Sequence, residues 1–278
     1  RILSSAASDV YKRQVIGSQT MIDVSQKSIV VTGGASGIGA AVCTAAIEQG
    51  AYIGVIDIDE DAGRTICGKL GDKAFFAAGN VESESSMNEA ISKLSSDMPN
   101  FNGAVCCAGV MPTREPIVEA PLENFDRVLK NHLNGTFLTC KLLGKKMLQH
   151  GGGSIVTLSS VLAIRPGPVL AYGAAKAGIV NLTQSLAVQW GKKNIRVNAI
   201  CPGWVDTPFI RKQEAMGRDL SPIIEMTPLG RLAEPHEISN VVMFLLSDAS
   251  SAVTGSALVV DCGITLAGGY MPYGRLPD

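Results

Sequence analysis

The sequence predicts an α/β domain built on a doubly wound parallel sheet of about seven strands, with helices on both faces. Three observations carry that expectation. Short apolar runs alternate with longer helical runs along the chain. Those apolar runs are continuous rather than alternating, as strands covered on both faces require. The chain of 278 residues is 46% hydrophobic and 18% charged, which suits a sizeable core and argues against disorder.

The elements follow in order. Ser28–Thr32 (SIVVT) reads as a short apolar strand, and the small, apolar residues 37–49 as a buried helix. Tyr52–Asp57 (YIGVID) is a second strand, followed by a polar helix near 59–70. Residues 73–77 (KAFFA) form a third strand, 83–96 a helix, and 103–107 (GAVCC) a fourth strand. A long helix runs from about 122 to 149. Residues 154–158 (SIVTL) are strand five, 171–191 a helix, and 195–200 (IRVNAI) strand six. A last helix near 234–246 precedes strand seven, Ala257–Val260 (ALVV). Residues 202–232 carry four prolines and several charges and read as an irregular connection, the kind that often covers a binding site.

Charge and cysteine usage narrow the class. The formal net charge of −1 argues against a nucleic-acid partner. The seven cysteines lie mostly in apolar runs and contain no Cys-x-x-Cys pair, and the three histidines have no ligand spacing. That pattern reads as reduced thiols in a cytoplasmic protein with no metal site. Residues 28–47 carry no charge, but glycines at 33, 34, 37 and 39 fit a strand, a turn and a helix better than a membrane span. Residues 1–20 show no periodicity and no secretory apolar core. They read as a non-native or disordered extension resembling translated adapter sequence, leaving 21–278 as one domain.

Thr32-Gly33-Gly34-Ala35-Ser36-Gly37-Ile38-Gly39 sits between the first strand and the first helix, the context a dinucleotide fingerprint requires. Missing side chains let the backbone approach a pyrophosphate, and the helix N-terminus supplies N–H groups. Gly33, Ser36, Gly37, Ile38 and Gly39 are therefore cofactor candidates. Asp57 ends the second strand eighteen residues after Gly39. There it can accept bonds from ribose hydroxyls and repel a 2′-phosphate, which favours NAD over NADP.

Tyr172 and Lys176 are four residues apart, so a helix places both on one face. An ammonium beside the phenol would lower its pKa and let the tyrosine exchange a proton with an alcohol.

The glycine turn, the Tyr-Lys pair and their separation resemble the short-chain dehydrogenase/reductase family over roughly residues 21–267. The resemblance implies a single-domain Rossmann fold and hydride transfer between NAD and an alcohol/ketone pair. It implies that Ser160, or adjacent Ser159, binds the substrate oxygen, and that Lys176 also holds the nicotinamide ribose. Pro202, Gly203, Val205 and Thr207 match the segment that holds the nicotinamide carboxamide, with Thr207 also placed to cap a helix. Ala108 and Gly109 match the half-motif that lets the cofactor pass close to the backbone. Cys106 and Cys107 stand where the family has two asparagines. Asn80 and Val81 replace the adenine-contacting Asp-Val.

His132 stands where the family's relay asparagine belongs, so it is read either as a relay residue, adding an ionisation near pH 6.5, or as a packed helix histidine. The resemblance also implies a homotetramer or homodimer. The substrate pocket is expected from residues 110–116, 161–170 and 208–229, with Arg165 and Arg211 able to meet an acid; residues 267–278 could cover a site. An NADP-dependent carbonyl reductase and a non-catalytic nucleotide sensor remain alternative readings.

Overall fold

The computed structural model describes residues 22–112 and 115–267. Strand β1 (Ser28–Thr32) is buried along its whole length. It pairs in parallel with β2 (Tyr52–Asp57) on one side and β4 (Gly103–Cys106) on the other. Beyond β2 lies β3 (Ala74–Ala78). Beyond β4 lie β5 (Gly153–Leu158), β6 (Ile195–Pro202) and β7 (Ala257–Val260), all parallel. The order β3-β2-β1-β4-β5-β6-β7 reverses its direction of growth between β1 and β4. Loops leaving those two strands diverge, and a crevice opens at the carboxyl ends.

The continuous apolar strands feed two cores, because successive side chains point to opposite faces. Val30, Ile56, Ala104, Ile155 and Val197 pack on one face. Helices α3 (Glu84–Asp97), α5 (Gly135–Gln149) and α6 (Leu170–Trp190) cover them through Leu94, Leu143 and Trp190. Ile29, Val31, Val55, Val105 and Ile200 pack on the other face. There α1 (Gly37–Glu48), α2 (Glu60–Leu70) and a helix at Pro235–Leu246 cover them through Val42, Cys67 and Val242.

Two elements differ from the sequence expectation. The helix expected over 122–149 is divided: α4 (Leu122–Leu129) passes through a π turn at Lys130–Asn134 before α5. The connection expected to be irregular holds two short helices, α7 (Pro208–Ala215) and α8 (Ser221–Met226). In chain order the remaining helices are α9 (Pro235–Leu246) and α10 (Ile264–Ala267).

Among the described residues, no helix is long and apolar enough to cross a membrane, and no group of three metal-ligating side chains occurs. All seven cysteines are free thiols. The expectations for residues 1–20 lie outside the described residues, as do those for residues 113–114 and 268–278.

Candidate active site

The glycine turn is shaped by contact with the loop after β4. Gly33 has φ +69°, and a Cβ there would stand 2.7 Å from the Ala108 backbone. A Cβ on Gly39 would stand 2.1 Å from the Gly33 carbonyl oxygen. The two loops therefore meet backbone to backbone, with no room for side chains. Ser36 occupies the N-cap of α1 without a side-chain capping bond. The first N–H groups of a helix lack intrahelical partners and favour an anion.

Asp57 organises this turn from β2. Its Oδ2 accepts from the Ala35 N–H at 3.1 Å and its Oδ1 from the Asp59 N–H at 3.1 Å. Asn80 turns its side chain back on its own segment, Oδ1 accepting from the Glu82 N–H at 2.9 Å. Val81 is buried.

Across the crevice, Thr207 caps α7, Oγ1 accepting from the Ile210 N–H at 3.4 Å. Its methyl stands 3.7 Å from where a Gly37 Cβ would lie, so the segments after β1 and β6 face each other.

The end of β5 sorts the two serines. Ser159 is buried and its hydroxyl donates to the Lys176 carbonyl at 2.8 Å, tying α6 to the strand end. Ser160 is buried as well, its Oγ accepting from the Leu162 N–H at 3.2 Å; it lines the cavity as Ser159 does, but stands beside Tyr172. Lys176 is buried; its Nζ donates to the Leu158 carbonyl at 2.7 Å and lies 5.2 Å from the Tyr172 ring centroid.

The expected depression of the Tyr172 pKa by Lys176 is corrected by this geometry. Burial pushes the phenol up to about 12, and only Ser160 opposes that rise. The ammonium is turned onto a carbonyl and over the ring. Burial also lowers Lys176 itself to about 8, against the pull of Cys107 and Cys201.

His132 belongs to the π turn. Its Nε2 lies 2.9 Å from the Val110 carbonyl oxygen, and its ring meets the Tyr172 ring edge to face at 5.1 Å. A Cβ on Gly109 would come within 2.6 Å of the imidazole. With Nε2–H donating to Val110, Nδ1 is left as a buried acceptor with no partner among the described residues. Burial, with Lys176 adding to it, pulls the imidazole down to about 3. The expected ionisation near pH 6.5 is therefore corrected: the ring stays neutral. Arg211 is also corrected as a candidate for meeting an acid, because Asp206 and Glu214 already pair with it.

All the cofactor-binding and catalytic candidates named from the sequence, from Gly33 to Thr207, line one cavity of about 420 Å³. Glu82 and Asn131 line it too. In the sequence Glu82 is marked only by following Val81, and Asn131 stands next to His132 but one place away from the relay position counted back from Gly135.

Residues 33–265 match a family model described as enoyl-(acyl carrier protein) reductase. The chain belongs to the short-chain dehydrogenase/reductase family. It is similar to the 2,5-dichloro-2,5-cyclohexadiene-1,4-diol dehydrogenase of Sphingobium indicum, 37% identical over 88% of this chain and 99% of that protein. It is 34% identical to the NAD-dependent glycerol dehydrogenase of Listeria innocua, over 88% of this chain and 96% of that one. The solved structure of a short-chain type dehydrogenase/reductase from Mycobacterium ulcerans shares 30% identity with a TM-score of 0.83. That likeness covers 88% of this chain and 91% of the other. The protein is thus a short-chain oxidoreductase of the alcohol dehydrogenase/ketoreductase class.

Proposed function

We propose that this short-chain dehydrogenase interconverts a secondary alcohol and a ketone with NAD, using Tyr172 as general acid and base. One observation carries the reading: Ser160, Tyr172 and Lys176 line the same cavity as the glycine turn and Asp57. The cavity fits a dinucleotide, because its glycines leave backbone where a Cβ would collide and a helix N-terminus points into it. The Ser36–Gly39 backbone would hold the pyrophosphate, and Asp57 the adenosine ribose, disfavouring a 2′-phosphate. Asn80 and Val81 would meet the adenine. Lys176 would hold the nicotinamide ribose, and Pro202, Gly203, Val205 and Thr207 the carboxamide. Ala108 and Gly109 let the cofactor pass. When bound, NAD supplies the hydride chemistry.

The chain's own residues supply the proton. Ser160 holds the substrate oxygen. Tyr172 takes the alcohol proton during oxidation and returns it during carbonyl reduction. His132 holds the segment after β4 through Val110 and presses on the Tyr172 ring, so it acts as a positioning residue. The assembly is a homotetramer or homodimer in the cytoplasm, acting on a small molecule without nucleic acid or metal.

The test is a panel of secondary alcohols and ketones followed at the NADH absorbance band, beside Tyr172→Phe. Turnover falls by about 10²–10⁴-fold in the variant. Undiminished turnover in Tyr172→Phe would overturn the mechanism, and a strong preference for NADPH would overturn the role of Asp57.

A further inference from the structure

Glu82 lines the cavity without a part in the proposed NAD site or proton transfer. It follows Val81, at the end of the cavity where the reading of NAD binding places the adenine, and this inference rests on that reading. Its side chain is mostly buried, at 23% exposed. Oε1 accepts from the Asn131 Nδ2 at 2.9 Å. Oε2 lies 3.7 Å from the Lys130 Nζ, a long contact with a largely exposed lysine. Such a pair contributes little and leaves Oε2 with accepting capacity.

Three features point that capacity at a ligand. First, Glu82 lines the cavity together with Asn80, Val81 and Asn131. Second, the neighbouring candidate is partly spent: the Asn80 side chain is exposed, and its oxygen accepts from the Glu82 backbone. Third, the carboxylate is held in place. Asn131 is 8% exposed, and its amide must present nitrogen to Glu82, since a carboxylate can only accept. A carboxylate held at this end can accept from a donor on the base, and adenine offers one in its exocyclic amine.

We propose that Glu82 recognises the adenine, its carboxylate accepting from the exocyclic amine, with Asn131 and Lys130 as positioning residues. The loss of a carboxylate at position 80 is thereby offset two residues later.

The test compares calorimetric binding of NADH with that of reduced nicotinamide hypoxanthine dinucleotide, which carries a carbonyl oxygen in place of the amine. The parent binds NADH more tightly by about tenfold or more, as expected for a hydrogen bond to a charged group. Glu82→Ala weakens NADH by about tenfold and brings the two ligands to near equality, while Asn80→Ala keeps most of the difference. Glu82→Ser, with the same expectation, is the second variant, and thermal unfolding of each checks the fold. Asn131→Leu narrows the ratio less than Glu82→Ala. An unchanged ratio in folded Glu82→Ala, or a ratio lost in Asn80→Ala alone, overturns the proposal. If the parent binds neither dinucleotide, it is the NAD reading that fails.

Discussion

Tyr172 meets His132 edge to face, and the Lys176 Nζ lies 5.2 Å from the centroid of the same ring. Burial governs the protonation of all three. The phenol at about 12 is protonated at neutral pH before any ligand binds. In the proposed mechanism carbonyl reduction uses that proton directly, whereas alcohol oxidation needs the phenolate. The kcat/KM for oxidation therefore rises with pH through the neutral and alkaline range, while that for reduction stays level and falls only on the alkaline side. Initial-rate profiles in both directions check this, and the residual activity of Tyr172→Phe lacks both limbs.

His132 makes a second prediction through linkage. Its folded pKa of about 3 lies below the usual 6.5, so the unfolded chain binds the proton first as pH falls. The stability is whole above about pH 6.5 and is lost progressively toward pH 3. At pH 5 this group costs about 2 kcal/mol relative to pH 8. Urea unfolding of His132→Asn should show a shallower acid loss than the parent; equal slopes would show that the imidazole is not held neutral.

Elements position these residues through their ends. After β5 the two successive serines are both buried and both line the cavity, but they differ in partners: the Ser159 hydroxyl donates to the Lys176 carbonyl at 2.8 Å, whereas Ser160 accepts from the Leu162 N–H at 3.2 Å and stands beside Tyr172. Ser159→Ala removes a buried bond between α6 and the strand, costing about 1 kcal/mol, and leaves turnover largely intact. Under the proposed mechanism Ser160→Ala lowers turnover sharply, and through loss of the bond to the Leu162 N–H it also costs about 1 kcal/mol. Paired kinetics and calorimetry separate the two.

Most element positions were legible, since β1, β2 and β7 follow unbroken apolar runs to the residue. The π turn at Lys130–Asn134 was not legible. Its residues carry an ordinary helical pattern, and the bulge is seen only where His132 meets Val110 and Tyr172. Helices α7 and α8 were hidden for another reason: Pro208 and Pro222 read as breakers, yet both stand in first turns, where proline is tolerated.

At the scale of the whole molecule, the reversal between β1 and β4 gathers segments up to about 170 residues apart around one crevice. Asp57 orders the glycine turn and lines the cavity, and in the proposed reading it sets the cofactor choice. Asp57→Asn keeps an oxygen for the Ala35 N–H but removes the charge. Its preference for NAD over NADP should fall by about tenfold or more in kcat/KM, at most a small change following if the charge plays no part. The sequence by itself determined the fold class, most strand positions and the candidate residues that line the cavity, because apolar periodicity and glycine spacing are local signals. The strand order, the separate partners of the two serines, the burial of His132 and the place of Glu82 were decided only by the tertiary structure. Burial and the orientation of a polar atom depend on neighbours distant in sequence, and no local pattern records them.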